Sequence, residues 1–168
     1  AFDGGGAIAA LDETNDIGFQ AVRVLAGTPL AAGVWFRLVL GGITGHRDFA
    51  RDTGGVLPPG QASEVADAIV RVFIDHGDRT DRTKARLKYL LDDWGFEKFL
   101  LAVEEKLGRR LDRLAPEFVA ARPLPDRLAH IGVHRQRQPG LNWIGVALRS
   151  GRLEAAQMQG LADIARRF

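Results

Sequence analysis

Three arginines that could bind an anion together, Arg79, Arg82 and Arg86, lie in the segment GDRTDRTKARLKY. If Asp81 begins a helix or directly precedes one, Arg82 and Arg86 stand one turn apart on the same face, and Arg79 lies just ahead of the first turn. A guanidinium stays charged at any relevant pH and makes bidentate bonds to carboxylates or phosphates. The spacing permits an anion site. By itself it favours a solvated helix face with Asp78 and Asp81 as local partners.

Glycines and histidines supply the remaining candidates. The segment GGITGH (41–46) could let a ligand approach the backbone closely, although a turn after a strand is the favoured interpretation. The glycines of Gly4–Gly6 do not form a nucleotide loop, because no helix with a Lys-Ser/Thr pair follows them. His130 and His134 have no third ligand nearby in the sequence, so a metal site is not expected there.

The first half of the chain predicts a hairpin followed by helices. Alternating and β-branched residues predict strands over 17–24 and 33–40, which we expect to pair. Helical spacing of apolar residues predicts a helix that begins after Pro58-Pro59-Gly60 and stops at Gly77. Further helices are predicted from about Asp81 to Trp94, with a break at Gly95, and from Phe96 to Leu107, with an end at Gly108.

The second half predicts a separate, smaller piece. Three prolines between Pro116 and Pro125 predict a linker. Beyond it, strands are predicted over 129–134 and 142–148, and a last helix begins near Ala155.

The composition is typical of a globular chain. It has 168 residues, of which 46% are hydrophobic, and a net charge of +2. No apolar run is long enough to cross a bilayer. The chain lacks an initiating Met, a signal-peptide pattern and a terminal stop signal, so we expect it to be an internal fragment. It has no cysteine, which excludes an iron–sulfur cluster held by this chain alone and fits a reducing cytoplasm.

Two sets of segments carry a resemblance to a known family. The first set is TNDIGFQAV, GVWFRLVLGGITGH, FARDTGGVLP, EVADAIVRVFIDH, GDRTDRTKARLKYLLDDWGFEKF and VEEKLGRRL; the second is HIGVHRQRQPGLNWIGVALRSGRL. The first set resembles the siroheme-bearing α+β domain of nitrite and sulfite reductases, and the second resembles their ferredoxin-like half domain. The resemblance implies an α+β fold with the C-terminal part of the first such domain over 1–115, a linker over 116–126 and the start of the second half domain over 127–168.

The resemblance also implies a function. It implies six-electron reduction of sulfite to sulfide or of nitrite to ammonia, at a siroheme coupled to a 4Fe-4S cluster. Arg79, Arg82 and Arg86 would contact the carboxylates that rim siroheme, without acting as catalytic residues. The active-site basic pair and the four cluster cysteines would lie outside the chain, so it would not bind the cluster and would be inactive alone. The implied partners are the remainder of the same polypeptide and an electron donor, either ferredoxin or a flavoprotein, with neither nucleic acid nor a membrane.

Two other functions are compatible with parts of the sequence. A precorrin-3B synthase-like enzyme resembles the same superfamily, although the run GDRTDRTKARLKYLL favours the reductase. A non-catalytic module could use the basic run Arg79–Lys88 for nucleic acid or another anion. Asp78, Asp81, Asp92 and Asp93 interrupt that basic surface, which disfavours nucleic acid.

Overall fold

The computed structural model divides the chain into two compact units, Ala1–Asp126 and Arg127–Phe168. It describes residues 1–6, 8, 10–46, 48–124, 126 and 128–167, without the side chain of His46. Pro125, inside the predicted linker, lies outside the described residues. Among the helices of these residues, none has both the length and the apolar content that crossing a bilayer requires.

The first unit is built on a mixed five-stranded sheet. Its strands are β1 (Phe2–Asp3), β2 (Ile17–Val24), β3 (Gly33–Leu40), β4 (Arg51–Leu57) and β5 (Asp112–Arg113). They lie in the order β1-β2-β3-β4-β5, with β1 parallel to β2 and the other neighbours antiparallel. The predicted hairpin of β2 and β3 is confirmed, with Phe19 opposite Leu38. The strands β1, β4 and β5 have no counterpart among the predicted elements.

Two helices cover one face of this sheet. The first, α1 (Ala62–His76), confirms the predicted helix, and the second, α2 (Leu87–Leu107), contains a non-helical residue at Gly95 with φ 73° and ψ 165°. The predicted break at Gly95 is therefore confirmed, as is the end at Gly108, whose φ of 67° is left-handed. The prediction that the second helix begins near Asp81 is wrong, because the helix begins at Leu87.

A single apolar core joins the helices to the sheet. Its buried members include Phe19, Leu38, Leu40, Leu57, Val65, Ile69, Val72, Leu91, Phe99, Leu100 and Val103. They come from alternate positions of the strands and from one face of each helix. This follows from the strand period of about 2 residues and the helix period of about 3.6 residues. A smaller cluster, with Val24, Val56 and Leu114 buried, lies apart from this core. The packing of α1 and α2 on the sheet fixes the ends of the loop that connects them.

A buried arginine marks an irregularity between β3 and β4. The register of these strands shifts between Arg37 and Val39, so that Val39 lies opposite Asp52. Arg37 is 5% exposed and donates to Asp52 Oδ2 at 2.7 Å and to the Leu114 carbonyl at 3.0 Å. A buried charge of this kind needs both a counter-charge and hydrogen bonds. Arg37 is therefore a structural residue that the sequence pattern did not reveal.

The second unit contains a hairpin and one helix. The hairpin pairs β6 (Gly132–Arg135) with β7 (Asn142–Gly145), and the helix α3 spans Ala155–Arg167. Both predicted strands and the predicted helix start are confirmed, although each strand is shorter than the predicted range. Phe168 lies outside the described residues.

Candidate functional site

The candidate arginines lie in the loop between α1 and α2, over residues 77–86. The loop begins where Gly77 donates its N–H to the Phe73 carbonyl at 2.8 Å and ends α1. A Cβ at Gly77 would lie 2.4 Å from the Phe73 ring, so only glycine fits this close approach. The loop therefore leaves α1 at a position that favours glycine.

Two successive Asp-Arg-Thr turns occupy the middle of the loop. In the first turn, Asp78 Oδ1 accepts hydrogen bonds from the Thr80 N–H at 2.9 Å and the Thr80 hydroxyl at 2.7 Å. In the second turn, Asp81 Oδ1 accepts from the Thr83 N–H at 2.9 Å and its hydroxyl at 2.6 Å. Side chains that bond nearby N–H groups compete with helix formation. The helix consequently begins later than predicted, with extended backbone at Arg86.

The structure corrects the expected arrangement of the arginines. Arg82 and Arg86 do not stand on one helical face, because the residues between them are not helical. Arg79 and Arg82 are exposed, and no ion pair holds either of them within the described part of the chain. The carboxylates expected to neutralise them instead accept bonds from the threonines, which also lower the pKa of Asp78 and that of Asp81 below the ordinary value. Two guanidiniums therefore remain available to an anion.

Arg86 has a different environment from the other two. Its Nε and Nη2 donate to the two carboxylate oxygens of Asp16 at 3.1 and 2.9 Å, and the side chains are 41% and 38% exposed. This bidentate pair ties the end of the loop to the turn that precedes β2. A cavity of about 310 Å³ lies beside the pair and is lined by apolar side chains that include Ile17, Ile69 and Phe73.

The glycines after β3 support the same turn. The N–H groups of Gly41 and Gly42 donate to the carbonyls of Asp16 and Asn15 at 2.9 and 3.0 Å. A Cβ on Gly42 would lie 2.3 Å from the Glu13 carbonyl oxygen, so glycine is required for chain packing. These contacts are those of a turn after a strand, as the sequence favoured. The side chain of His46 lies outside the described residues.

Lys88, at the end of the basic run, is neutralised by acidic neighbours. Its side chain is 14% exposed and its Nζ lies 2.8 Å from Asp48, with Asp92 as a second partner. The hydrogen bond that Lys88 donates to Asp48, followed by the one that it donates to Asp92, raises the pKa of Lys88. The run Arg79–Lys88 is therefore not a continuous cationic surface, and this weakens the nucleic-acid interpretation.

His134, in the second unit, has structural contacts. His134 stacks on Trp143 with ring centroids 4.2 Å apart, and its Nε2 lies 2.8 Å from the Ile131 carbonyl oxygen. No group of three His, Cys, Asp or Glu side chains suited to a metal occurs among the residues that were described.

Comparison with known proteins defines the class of this α+β domain. A family model described as the nitrite and sulphite reductase 4Fe-4S domain matches residues 1–111. A model of the nitrite/sulfite reductase ferredoxin-like half domain matches residues 134–168. The chain belongs to the nitrite and sulphite reductase 4Fe-4S domain family. The predicted family and fold class are both confirmed.

Individual relatives agree with this assignment. The chain is 36% identical over 155 residues to a protein of Mycolicibacterium paratuberculosis named sulfite reductase [ferredoxin] 2, covering 91% of the chain and 26% of that protein. It is 40% identical over 107 residues to ferredoxin–nitrite reductase of Leptolyngbya laminosa, covering 64% of the chain and 20% of that protein. The solved structure of the Mycobacterium tuberculosis NirA protein aligns with a TM-score of 0.74 at 36% identity, covering 94% of the chain and 28% of that structure. The chain thus spans about a quarter of such relatives.

Proposed function

We propose that the chain is part of a siroheme-dependent sulfite or nitrite reductase and contributes contacts to siroheme carboxylates through Arg79, Arg82 and Arg86. The observation that carries the proposal is the pair of exposed guanidiniums at Arg79 and Arg82, which their acidic neighbours leave unpaired. The reaction would be the six-electron reduction of sulfite to sulfide or of nitrite to ammonia. The names of the relatives favour a reductase over a precorrin-3B synthase-like enzyme.

The residues of this chain suit siroheme, one of the two cofactors of such an enzyme, and do not suit the other, a 4Fe-4S cluster. A siroheme rim of carboxylates matches free guanidiniums, because such pairs form charge-assisted, bidentate hydrogen bonds. A 4Fe-4S cluster needs thiolate ligands, and these residues include no cysteine. When bound, siroheme would supply the redox chemistry. The residues of this chain would bind and orient it, and by themselves would not catalyse the reduction.

Arg86 can contact siroheme while it keeps its ion pair with Asp16. A guanidinium has five N–H donors, and Asp16 accepts hydrogen bonds from Nε and Nη2. As far as the described residues go, the Nη1 hydrogens remain for a further carboxylate. The apolar cavity beside the pair supports this role, because a macrocycle with carboxylate substituents needs apolar contact next to cations.

The domain assignment and the partners belong to the same proposal. Residues 1–115 would form the C-terminal part of the first α+β domain, 116–126 the linker and 127–168 the start of the second half domain. The remainder of a longer polypeptide would complete the enzyme. The relatives' names support ferredoxin as the electron donor, and the cytoplasm is the proposed compartment.

Binding of siroheme to arginine variants tests the proposal. Siroheme is titrated into the full chain and followed by its visible absorbance. The double variant R79A/R82A is expected to bind about tenfold or more weakly, because two charge-assisted contacts are lost. The matched control is R110A, which removes another exposed arginine of the same unit. Equal affinities of R79A/R82A and the wild type, or an equal loss in R110A, would contradict the proposal.

A further inference from the structure

The loop between α1 and α2 repeats one structural unit. The sequence Asp-Arg-Thr occurs twice without a gap, and each aspartate binds both the N–H and the hydroxyl of the threonine two residues later. The first turn is also joined to the second, since Asp78 Oδ1 accepts from the Asp81 N–H at 3.4 Å. An arginine occupies the middle position of each turn.

Within the described part of the chain, neither Arg79 nor Arg82 is paired with an aspartate of the two turns. Two other exposed arginines, both on helices, do pair with an acidic residue three or four positions away: Arg71 with Asp67 at 2.7 Å and Arg166 with Asp163 at 2.8 Å. In the two turns, Oδ1 of each aspartate instead accepts hydrogen bonds from threonine. The turns therefore engage one oxygen of each carboxylate that lies next to an arginine in sequence.

Resting on the proposed function, we infer that the aspartates and threonines of the two turns are positioning residues for Arg79 and Arg82. They order the loop before any ligand arrives, and this lowers the entropy lost on binding. They also keep both guanidiniums free for an anionic group. The aspartates thus promote the binding of an anion although they carry the same charge as the ligand.

Removal of the two aspartates should change siroheme affinity in the direction opposite to that expected from charge alone. Removal of a carboxylate near an anion site should strengthen binding if the carboxylate acts only through its charge. If it acts through the turn, D78A/D81A should bind more weakly, by roughly three- to tenfold. The variant D78N/D81N keeps an acceptor oxygen and loses the charge, so it should bind at least as tightly as the wild type.

The threonines provide a second test that changes no charge. The variant T80V/T83V removes both hydroxyl donors with nearly the same side-chain shape, and T80S/T83S retains them. Siroheme affinity should fall in T80V/T83V and recover in T80S/T83S. Because the four side chains lie in the connecting loop and outside the apolar core, all of these variants are expected to fold.

The experiment combines siroheme titration of the full chain with nuclear magnetic resonance of its amides. The Arg79 and Arg82 amides should be rigid in the wild type and in D78N/D81N, and mobile in D78A/D81A. This readout needs no ligand, so it tests the inference even if the proposed function fails. Unchanged affinity in R79A/R82A would overturn the proposed function. Weak binding by R79A/R82A together with unchanged or tighter binding by D78A/D81A, or rigid arginine amides in D78A/D81A, would overturn the inference.

Discussion

Arg86 and Asp16, 70 residues apart in sequence, form a bidentate ion pair in which Arg86 Nε and Nη2 donate to the Asp16 carboxylate oxygens at 3.1 and 2.9 Å. Both side chains are more than a third exposed, so water screens much of the attraction. We expect a coupling free energy of about 0.5–1 kcal/mol in a double-mutant cycle of R86A and D16A. Urea unfolding of the four proteins measures it. Additive effects of the two changes would show that the pair does not anchor the loop.

Gly42 should be the least replaceable glycine in the turn after β3. A methyl group there would lie 2.3 Å from the Glu13 carbonyl oxygen, and backbone atoms cannot yield cheaply. We expect G42A to lower the free energy of unfolding by about 2–3 kcal/mol. Gly60 is the control, since a Cβ at that position meets nothing within 4 Å. If G60A is as destabilising as G42A in urea unfolding, the close approach is not the cause.

Two buried carboxyl groups should act on stability in opposite directions as pH changes. Burial, followed by a hydrogen bond with Asp3, raises the pKa of Asp12. Burial also acts to raise the pKa of Asp3, but the Gly5 N–H, the Arg122 guanidinium and Asp12 together hold it below its ordinary value. The contribution of Asp12 to the stability of the folded state is thus fully present below its unfolded pKa of about 3.8. It is lost as pH rises through its folded pKa. That of Asp3 is present above the unfolded pKa and is lost as pH falls through its folded pKa.

The variant D12N isolates the effect of Asp12. It removes the buried charge and keeps an acceptor for the Gln20 amide, which donates to Asp12 at 2.7 Å. The stability of D12N relative to the wild type should increase from pH 3.8 toward neutrality. Urea unfolding over that range measures the trend, with D93N as an exposed control. A difference that is constant with pH would contradict the direction of the Asp12 shift.

The second half of α2 should contribute strongly to the core. Phe99 is completely buried, whereas Leu101, two residues later, is 58% exposed. We expect F99A to cost about 3–5 kcal/mol and L101A to stay within about 0.5 kcal/mol of the wild type. Calorimetry or urea unfolding compares the two. A small effect of F99A would mean that the segment after Gly95 does not pack on the sheet as described.

The local pattern of the sequence was sufficient for most elements of the fold. The strands β2 and β3 have the bounds that their β-branched and aromatic residues predict, and α1 follows its apolar spacing. The predicted helix break at Gly95 and helix end at Gly108 are confirmed, because a backbone with positive φ at such positions favours glycine. The strand β4 was missed, since Gly54 and Gly55 inside Arg51–Leu57 weaken its strand pattern.

The amino-acid sequence alone indicates the family, the α+β class and the arginine-rich segment that forms the candidate site. It could not decide the loop's conformation, because helical spacing and side-chain competition for the backbone give opposite predictions for Asp78 to Thr83. Only the tertiary structure showed that the threonines engage the aspartates, and that Asp16 engages Arg86. The same holds for Arg37, whose partner Asp52 is brought near by the register shift between strands. Contacts between distant residues depend on how the elements pack, and no local pattern contains that information.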